Sequence, residues 1–425
     1  MDSSKHDSSL ALPSQQRRKI LTAGAALAGV SALGFPALVR SQSDKIVIGH
    51  LTPRTGFLGA LGEYSVMGVT LAVEEVNRAG GVMGRQLQLI AEDSVNPSTA
   101  STKAQRLIER DGAAVLVGEI SSASALTIAQ VASRNKRIFV NSGANSDELR
   151  GKSCNKYMFH VEVANTTNVK ACGYQLLRNN MIKGKKLFSL TADYAFGHDL
   201  LRAAKAFIAA NGGNLVQDIL VATDSTDFSP YLLKIRQEKP DVVVCNLAGN
   251  QTTNFIKQYA EFGLPYPIAG FNINSADAWG AGADNFAGIW PLTWHHDIDT
   301  PTSKAFVAAF TKKNGKPPEN QAWGDYVALK SVAQAMAETK STDSAKLIAY
   351  FEKGAPIDVL KARKGYFRAW DHQMIQEMYT ITPKPKGAAK DQWDFIALGA
   401  SVTGPTENLE ILAPTREENA CTMSA

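Results

Sequence analysis

Short apolar runs alternate with stretches of helical periodicity along most of the chain. Residues 113–117 are apolar throughout and residues 137–140 are apolar after Arg137, which is typical of strands buried in a parallel sheet. Between them, residues 122–135 carry apolar side chains at helical spacing. Such alternation predicts an α/β fold with parallel sheets and right-handed crossovers. The other predicted strands cover 45–51, 86–91, 156–162, 186–191, 215–221, 241–247 and 267–271, with three more in the last third at 287–292, 366–370 and 378–382.

The alternation of strands and helices begins again after residues 156–162, which predicts two similar doubly wound lobes. The last third carries amphipathic helices over 302–313, 321–339 and 344–353 but few strands. We therefore expect it to form no third sheet and to cross back to complete both lobes. The polar stretch from Gly387 is predicted to wrap the surface.

Small polar residues follow two neighbouring predicted strands. Residues 118–122 read GEISS and residues 141–145 read NSGAN. Ligands of open α/β sheets lie outside the carboxyl ends of the strands, and hydroxyls and backbone N–H groups at a helix start bind anionic groups. The pattern predicts half of a small-molecule site. The alternative is that these residues only turn the chain and cap the helix.

The N-terminus has the pattern of an export signal. Arg17, Arg18 and Lys19 precede a run rich in Ala and Gly that is interrupted by Pro36. This order is typical of a twin-arginine signal and predicts a signal peptide over 1–41 and a periplasmic protein. The alternative is an uncleaved membrane anchor, since about 20 residues can span a bilayer.

Net charge argues against a nucleic-acid partner. The formal charge is +5, and residues 1–41 contribute +3 of it. The remainder carries 40 basic against 38 acidic residues, too even a balance for a nucleic-acid surface.

The four cysteines lack the C-x-x-C spacing of zinc or redox sites. Because an oxidising compartment permits disulfides, we predict a bond between Cys154 and Cys421, which both lie in polar segments. Cys245 lies inside a predicted strand and is expected to be an inert core thiol.

Motifs for catalysis or cofactors are not found. The glycine cluster at 80–84 follows a helix instead of preceding one, so it is no dinucleotide loop, and neither a P-loop nor G-x-S-x-G occurs. His295, His296 and Asp297 resemble a metal set, but adjacent histidines on a strand face opposite sides, so we expect surface residues. The chain is predicted to be no enzyme and to hold no cofactor or metal.

The chain resembles the type I periplasmic solute-binding proteins of ABC importers, in the branched-chain amino-acid-binding group, over residues 45–400. The resemblance rests on collinear segments rather than on any one of them. They are IVIGHLTPRTG, EEVNRAGGVMG, VGEISSAS, NSGANS, DYAFG, DFSPYL, PDVVV and AWGDYVALK.

The resemblance implies two lobes joined by three crossings, near 163–165, 289–290 and 367–368. Lobe I would comprise 45–163 with 290–367, lobe II 164–289 with 368–400, and 401–425 a C-terminal tail. It also implies hinge closure on a small solute and docking on inner-membrane permease subunits, and we expect a monomer. The alternative role is a ligand-sensing domain on the same scaffold.

The resemblance also assigns ligand contacts position by position. First-lobe contacts to a carboxylate or amide would come from two serines, an asparagine and nearby backbone; second-lobe contacts would be an aromatic residue and two asparagines. In order, these are Ser121, Ser122, Asn145, Gly143 and Ala144, then Phe196, Asn250 and Asn272.

Asn272 departs from the family pattern, because amino-acid-binding members have an acidic residue there for the ligand's ammonium. A buried ammonium without a carboxylate loses its charge partner, so the departure argues against an ordinary amino acid, unless Asp193 or Glu119 substitutes. Arg54 is a candidate carboxylate clamp or a solvated loop cation.

Aromatic residues complete the predicted site. Phe57 and Tyr194, with Tyr64 and Phe196, could line a slot for a ring or could be ordinary packing. We therefore expect an aromatic or other hydrophobic carboxylate as the solute, with an amino acid, a short amide or urea as the alternatives.

Overall fold

A five-stranded parallel sheet opens the part of the chain that the computed structural model describes, residues 45–423. Its strands have the order β2-β1-β3-β4-β5, and each neighbouring pair is parallel. With the helices between the strands it forms the first lobe. The elements are β1 (Ile46–Thr52), α1 (Gly59–Arg78), β2 (Leu87–Asp93), α2 (Pro97–Glu109), β3 (Val115–Gly118), α3 (Ser122–Arg134), β4 (Ile138–Asn141) and β5 (Met158–His160).

A second parallel sheet, with the order β7-β6-β8-β9, follows and forms the second lobe. The predicted α/β fold with two parallel-sheet lobes is therefore confirmed. The elements are α4 (Asn165–Arg178), β6 (Lys186–Ala192), α5 (Ala195–Ala210), β7 (Asn214–Val221), α6 (Ser229–Glu238), β8 (Val242–Asn246), α7 (Asn250–Phe262), β9 (Ile268–Gly270) and α8 (Ser275–Ala281).

The last third returns to both lobes. Helix α10 packs along α1 of the first lobe so closely that a Cβ at Gly68 would lie 2.0 Å from the carbonyl oxygen of Ala322, which favours glycine there. The elements are β10 (Trp290–Leu292), α9 (Pro301–Asn314), α10 (Asn320–Thr339), α11 (Ser344–Glu352), β11 (Tyr366–Phe367), β12 (Met374–Ile375), β13 (Tyr379–Pro383) and β14 (Ile396–Ser401).

The expectation that the last third forms no third sheet is wrong. Strands β10, β13 and β14 make a three-stranded antiparallel sheet, and β14 lies in the stretch predicted to wrap the surface. Phe395 and Ile396 are the reason, since both are buried in the core of the second lobe beside Ile381. The four apolar residues at 395–398 were therefore the signal for this strand, and the charged and Gly-rich residues around them obscured it.

Helix α1, with the short turn before it, is long and apolar enough by composition to cross a membrane, over Gly56–Arg78. Its most apolar window is 61% buried inside the protein. Val69, Ala72 and Val76 face the core of the first lobe, so packing against the sheet and α10 accounts for its composition. The predicted signal peptide over 1–41 lies outside the described residues.

The predicted disulfide between Cys154 and Cys421 is present, and it joins residues 267 positions apart in sequence. It ties the C-terminal tail to the segment before β5. Cys245 is free and buried in β8, and burial raises the pKa of its thiol to about 12. The thiol therefore stays protonated and unreactive near neutral pH, as expected.

Candidate functional site

Ser121 and Ser122 lie where β3 passes into α3, at the carboxyl edge of the first sheet. Ser121 caps the helix, since its Oγ accepts a hydrogen bond from the backbone N–H of Ser124 at 3.4 Å. The Glu119 carboxylate accepts from the N–H groups of Ile120 and Ser121 at 3.0 and 2.8 Å. The chain's own carboxylate thus occupies the backbone donors just before the helix.

The loop after β4 is fixed to this helix start by side chains. Asn141 accepts from the N–H of Ala144 at 2.9 Å and donates to the Ala144 carbonyl at 2.7 Å. Ser122 Oγ accepts from the N–H of Ser146 at 3.3 Å. The predicted first-lobe residues therefore come together in one hydrogen-bonded frame.

Helix α10 also contributes to the site, which the sequence did not reveal. A Cβ at Gly143 would lie 2.3 Å from Oε1 of Gln321, so the loop and the helix start are in close contact. Asn320 and Gln321 are buried and line the space between the lobes. The available signal was a polar pair at the start of a long, otherwise mostly apolar helix.

Aromatic rings join the two lobes across the cleft. Phe57 of the first lobe packs edge-on against Tyr194 of the second, with centroids 5.4 Å apart, and Tyr194 lies 5.6 Å from Phe196. Phe196 is 3% exposed and shares an apolar cluster with Leu58 and Ile120 of the first lobe. Phe196 therefore has a packing role whether or not it contacts a solute.

Amide side chains also connect the lobes. Oδ1 of Asn274 accepts from Nδ2 of Asn320 at 2.7 Å and from Nε2 of Gln321 at 2.9 Å. The N–H of Ser275 donates to Oδ1 of Asn320 at 3.1 Å. These bonds link the start of α8 to the start of α10.

An ion-pair cluster links the lobes at another edge. Arg202 of α5 lies 2.9 Å from Asp147 and 2.7 Å from Asp199, and the N–H of Asp147 donates to Asp199 Oδ2 at 2.6 Å. Burial, together with the neighbouring Asp199, raises the pKa of Asp147. With the rings and the amides, this cluster shows that the lobes are closed on each other.

A small cavity remains between the lobes and holds about 10 Å³, whereas small-molecule pockets usually hold about 300–1,000 Å³. Asn145 and Asn272 both line it, so two predicted contacts from opposite lobes meet at one place. A solute of ordinary size could enter only if the lobes separated. The lining is Asn145, Glu162, Asn168, Asn272, Ile273, Asn274, Pro291, Thr293, Asn320 and Gln321.

Buried carboxyl groups surround the cleft. Burial raises the pKa of Glu119 to about 8 and that of Asp277 to about 7, and it raises the pKa of Glu319 as well. Asp277 lies on α8, where its carboxylate accepts from the N–H of Asn274 at 3.1 Å. Sequence analysis missed Asp277 because it missed this seven-residue helix.

Three predicted contacts are exposed: Arg54, Asp193 and Asn250. The N–H of Arg54 donates to Asp93 at 3.0 Å, and Asp193 lies 2.7 Å from His198. Asn250 begins α7. The role of these three residues in binding stays a prediction.

The expectation that His295 and His296 are surface residues on opposite faces of a strand is wrong. Strand β10 ends at Leu292, so both lie in a turn, and His295 is 1% exposed. Their ring nitrogens and the Asp297 carboxylate lie within 4.8 Å of one another. The N–H of Asp297 donates to Nδ1 of His295 at 3.2 Å, and Lys384 lies 3.9 Å from the Asp297 carboxylate. These contacts satisfy the cluster only in part, because Nε2 of His295 and Nδ1 of His296 are buried without a hydrogen-bond partner.

The two lobes and the cleft between them are the architecture expected from the protein family whose model matches this chain. The family model described as "periplasmic binding protein" matches residues 45–388, which is most of the chain. The chain belongs to the periplasmic binding protein family.

Relatives of this periplasmic binding protein support the assignment. A Leu/Ile/Val-binding protein homolog from Brucella suis is 28% identical over 323 residues, which cover 72% of this chain and 79% of that protein. A periplasmic binding protein from Burkholderia mallei has a TM-score of 0.82 and 28% identity, covering 89% of this chain and 99% of that one. A solute-binding protein from R. palustris, solved with benzoate, has a TM-score of 0.76, 23% identity and coverage of 89% and 100%.

Membership fixes the general role of the chain. It is a substrate-binding protein of the ABC-transporter class, in the branched-chain amino-acid-binding group, and not an enzyme. Family members work with permeases and bind small molecules in the periplasm.

Proposed function

We propose that the protein captures a small organic solute between its lobes in the periplasm and delivers it to inner-membrane permease subunits. Lobe I would comprise 45–163 with 290–367, and lobe II 164–289 with 368–400. The observation that carries the proposal is that one cavity is lined from both lobes, by Asn145 of the first and Asn272 of the second.

Capture would work by a shift between open and closed forms. A solute that touches both lobes binds the closed form better and increases its population. A change from mostly open to mostly closed requires about 5 kcal/mol of differential affinity. A few charge-assisted hydrogen bonds at Ser122 and Asn145, together with one packed ring, could supply it.

The proposed solute is an aromatic or other hydrophobic carboxylate. Its carboxylate would meet the Ser122 hydroxyl and the Asn145 amide near the start of α3, where the helix dipole favours negative charge. Its ring would replace one of the contacts now made among Phe57, Tyr194 and Phe196.

A second candidate is a solute with an ammonium or amide donor, such as an amino acid, a short amide or urea. The observation that favours it is the buried carboxyl of Asp277, on the helix that follows Asn272. Glu119 adds a further buried carboxyl on the first lobe. Either carboxyl would supply, for a bound ammonium, the negative charge partner that the neutral Asn272 cannot provide.

A thermal-shift panel separates these candidates, because a ligand in excess raises apparent stability. Benzoate and cinnamate test the first candidate; L-phenylalanine, L-leucine, benzamide and urea test the second. Stabilisation by the acids alone supports the proposed class, and stabilisation by L-phenylalanine alone selects the second candidate. A flat response to all six would reject both.

A double variant then tests the site with whichever compound binds. Ser122→Ala with Asn145→Ala should lower affinity by about tenfold or more, because it removes two hydrogen-bonding groups. Asn135→Ala, at the opposite end of α3, is the matched control. Equal affinity in the double variant and the control would remove both residues from the site.

Export by the twin-arginine route is the last part of the proposal. It rests on Arg17 and Arg18 before the apolar run. Replacing both by lysine should keep the protein out of the periplasm. Undiminished periplasmic yield would contradict this route.

A further inference from the structure

Arg150 is a buried cation to which sequence analysis assigned no role. It follows the short 3-10 turn Asp147–Leu149 and is fully buried. A buried guanidinium is costly unless its donors are satisfied. Its bonding partners therefore show what the charge does in the fold.

The donors of Arg150 reach the loop that carries the candidate solute contacts. Nη1 donates to the carbonyl of Ser146 at 2.7 Å, and Nη2 donates to the carbonyl of Ala144 at 3.2 Å. These carbonyls flank Asn145. The guanidinium thus fixes the backbone on both sides of that residue.

The same side chain also reaches the segment that leaves the first lobe. Nη2 donates to the carbonyl of Glu162 at 2.7 Å, and Nε donates to Oε1 of Gln373 at 2.6 Å. Gln373 in turn donates to the carbonyl of Glu162 at 3.0 Å. Residues 163–165, where the chain is predicted to cross between lobes, come directly afterwards.

Charge and shape explain why arginine suits this position. Burial lowers the pKa of Arg150 to about 10, against the opposing effect of Asp147, Glu162 and Asp371, so the side chain stays charged at neutral pH. A planar guanidinium has five donors in a fixed arrangement, whereas a lysine has three on one atom. Arg150 makes four bonds to three segments of the chain, which only the guanidinium can provide.

We propose that Arg150 is a positioning residue that couples the solute-contact loop 143–146 to the first inter-lobe crossing. The loop and the crossing share one rigid hydrogen-bonded partner, so a shift of either one strains its bonds to the other. Movement of the lobes and the geometry around Asn145 are thereby linked. The coupling to solute capture rests on the proposed function; the fixing of the loop does not.

Hydrogen exchange on the solute-free protein tests the fixing of the loop directly. Arg150→Met should accelerate exchange of the Ala144 and Ser146 N–H groups by about tenfold or more, since each lost bond changes local opening by roughly that factor. Arg368→Met is the control, because Arg368 is also buried but pairs with Asp371 and not with the loop. In Arg368→Met, the N–H groups of Ala144 and Ser146 should exchange at the wild-type rate.

A second variant covers the case in which Arg150→Met does not fold. Arg150→Lys keeps the charge but not the arrangement of donors, and it should accelerate exchange at Ser146 by an intermediate factor. Wild-type exchange in a folded Arg150→Met, or in Arg150→Lys if only that variant folds, overturns the proposal.

The coupling to binding is tested with benzoate or L-phenylalanine, whichever stabilises the wild type. Arg150→Met should bind it about tenfold more weakly, while Arg368→Met keeps its affinity. Equal affinities of the two variants overturn the coupling. If neither compound binds the wild type, cinnamate, L-leucine, benzamide or urea takes its place, whichever stabilises the wild type. If none of the six does, the proposed solutes are wrong, and exchange alone decides the role of Arg150.

Discussion

Asn141 and Asn246 each end a buried strand, β4 of the first parallel sheet and β8 of the second, and both side chains are fully buried. The side chain of Asn141 bonds both the N–H and the carbonyl of Ala144, and its Nδ2 lies 3.1 Å from Nδ1 of His160. Asn246 makes one long contact to Thr191 at 3.5 Å. The same residue type at the end of a buried strand thus does different work in the two lobes.

The difference extends to the whole cleft. The first lobe presents a polar frame whose loops are fixed by Asn141, Ser122 and Arg150. The second lobe presents rings at Tyr194 and Phe196, with amides and the Asp277 carboxyl on the segment after β9. We infer that the first lobe orients the polar group of a solute and that the second closes over its apolar part.

The largest expected effect concerns the apolar side of the cleft. Phe196→Ala should lower the free energy of unfolding by about 3–5 kcal/mol, because it empties a buried aromatic position. Urea unfolding followed by circular dichroism measures it. A loss below about 1 kcal/mol would mean that Phe196 is a free lid and not a packed residue.

Asn141 and Asn246 give the sharpest test of the contrast between the two lobes. Asn141→Ala should cost about 2 kcal/mol, since it leaves buried backbone groups unpaired, whereas Asn246→Ala should cost about 1 kcal/mol or less. Urea unfolding of both variants measures the difference. Equal costs would contradict the polar-frame account of the first lobe.

Much of this contrast could be predicted from sequence, but unevenly. The strand-end motifs GEISS and NSGAN revealed the first-lobe frame, because the residues that form it are adjacent in the chain. The second-lobe side was harder, since α8 is only seven residues long and carries Asp277. Asn320 and Gln321 reach the cleft only through tertiary packing of α10, which local pattern does not encode.

Strand alternation was applied to His295 and His296, although a strand was expected only over 287–292. Strand β10 stops at Leu292 as well. Strand alternation therefore did not apply to them. Conversely, the pairing of Cys154 with Cys421 was correctly predicted, because polar surroundings set them apart from the two core thiols.

The pH dependence of stability tests the buried acid on the second lobe. Burial raises the pKa of Asp277 from 3.8 to about 7, so its carboxyl binds a proton more tightly in the folded state. This contribution lowers stability as pH rises from about 4 to 7, by at most about 1.4 kcal/mol per pH unit.

Comparison of Asp277→Asn with wild type isolates that contribution. The stability of the variant relative to wild type should increase between pH 5 and about pH 7 and become constant above about pH 8. Urea unfolding at four pH values measures it. A difference that is constant across the range would show that Asp277 is not held protonated by burial.

The smallest effect is expected at Asn250. It is exposed at the start of α7, so Asn250→Ala should change stability by less than about 0.5 kcal/mol. The same variant tests the predicted contact of Asn250, because loss of a contact would lower affinity for the solute found by thermal shift. Unchanged affinity would remove Asn250 from the predicted site.

Small-angle scattering with and without that solute tests the central claim, that capture closes two lobes over a shared cleft. The cavity that Asn145 and Asn272 share holds only about 10 Å³ in the closed structure, so the protein must open for a solute to enter there. We predict a larger radius of gyration without solute and, at saturation, compaction towards the value calculated for the closed structure. Identical scattering curves in the two conditions would contradict the account.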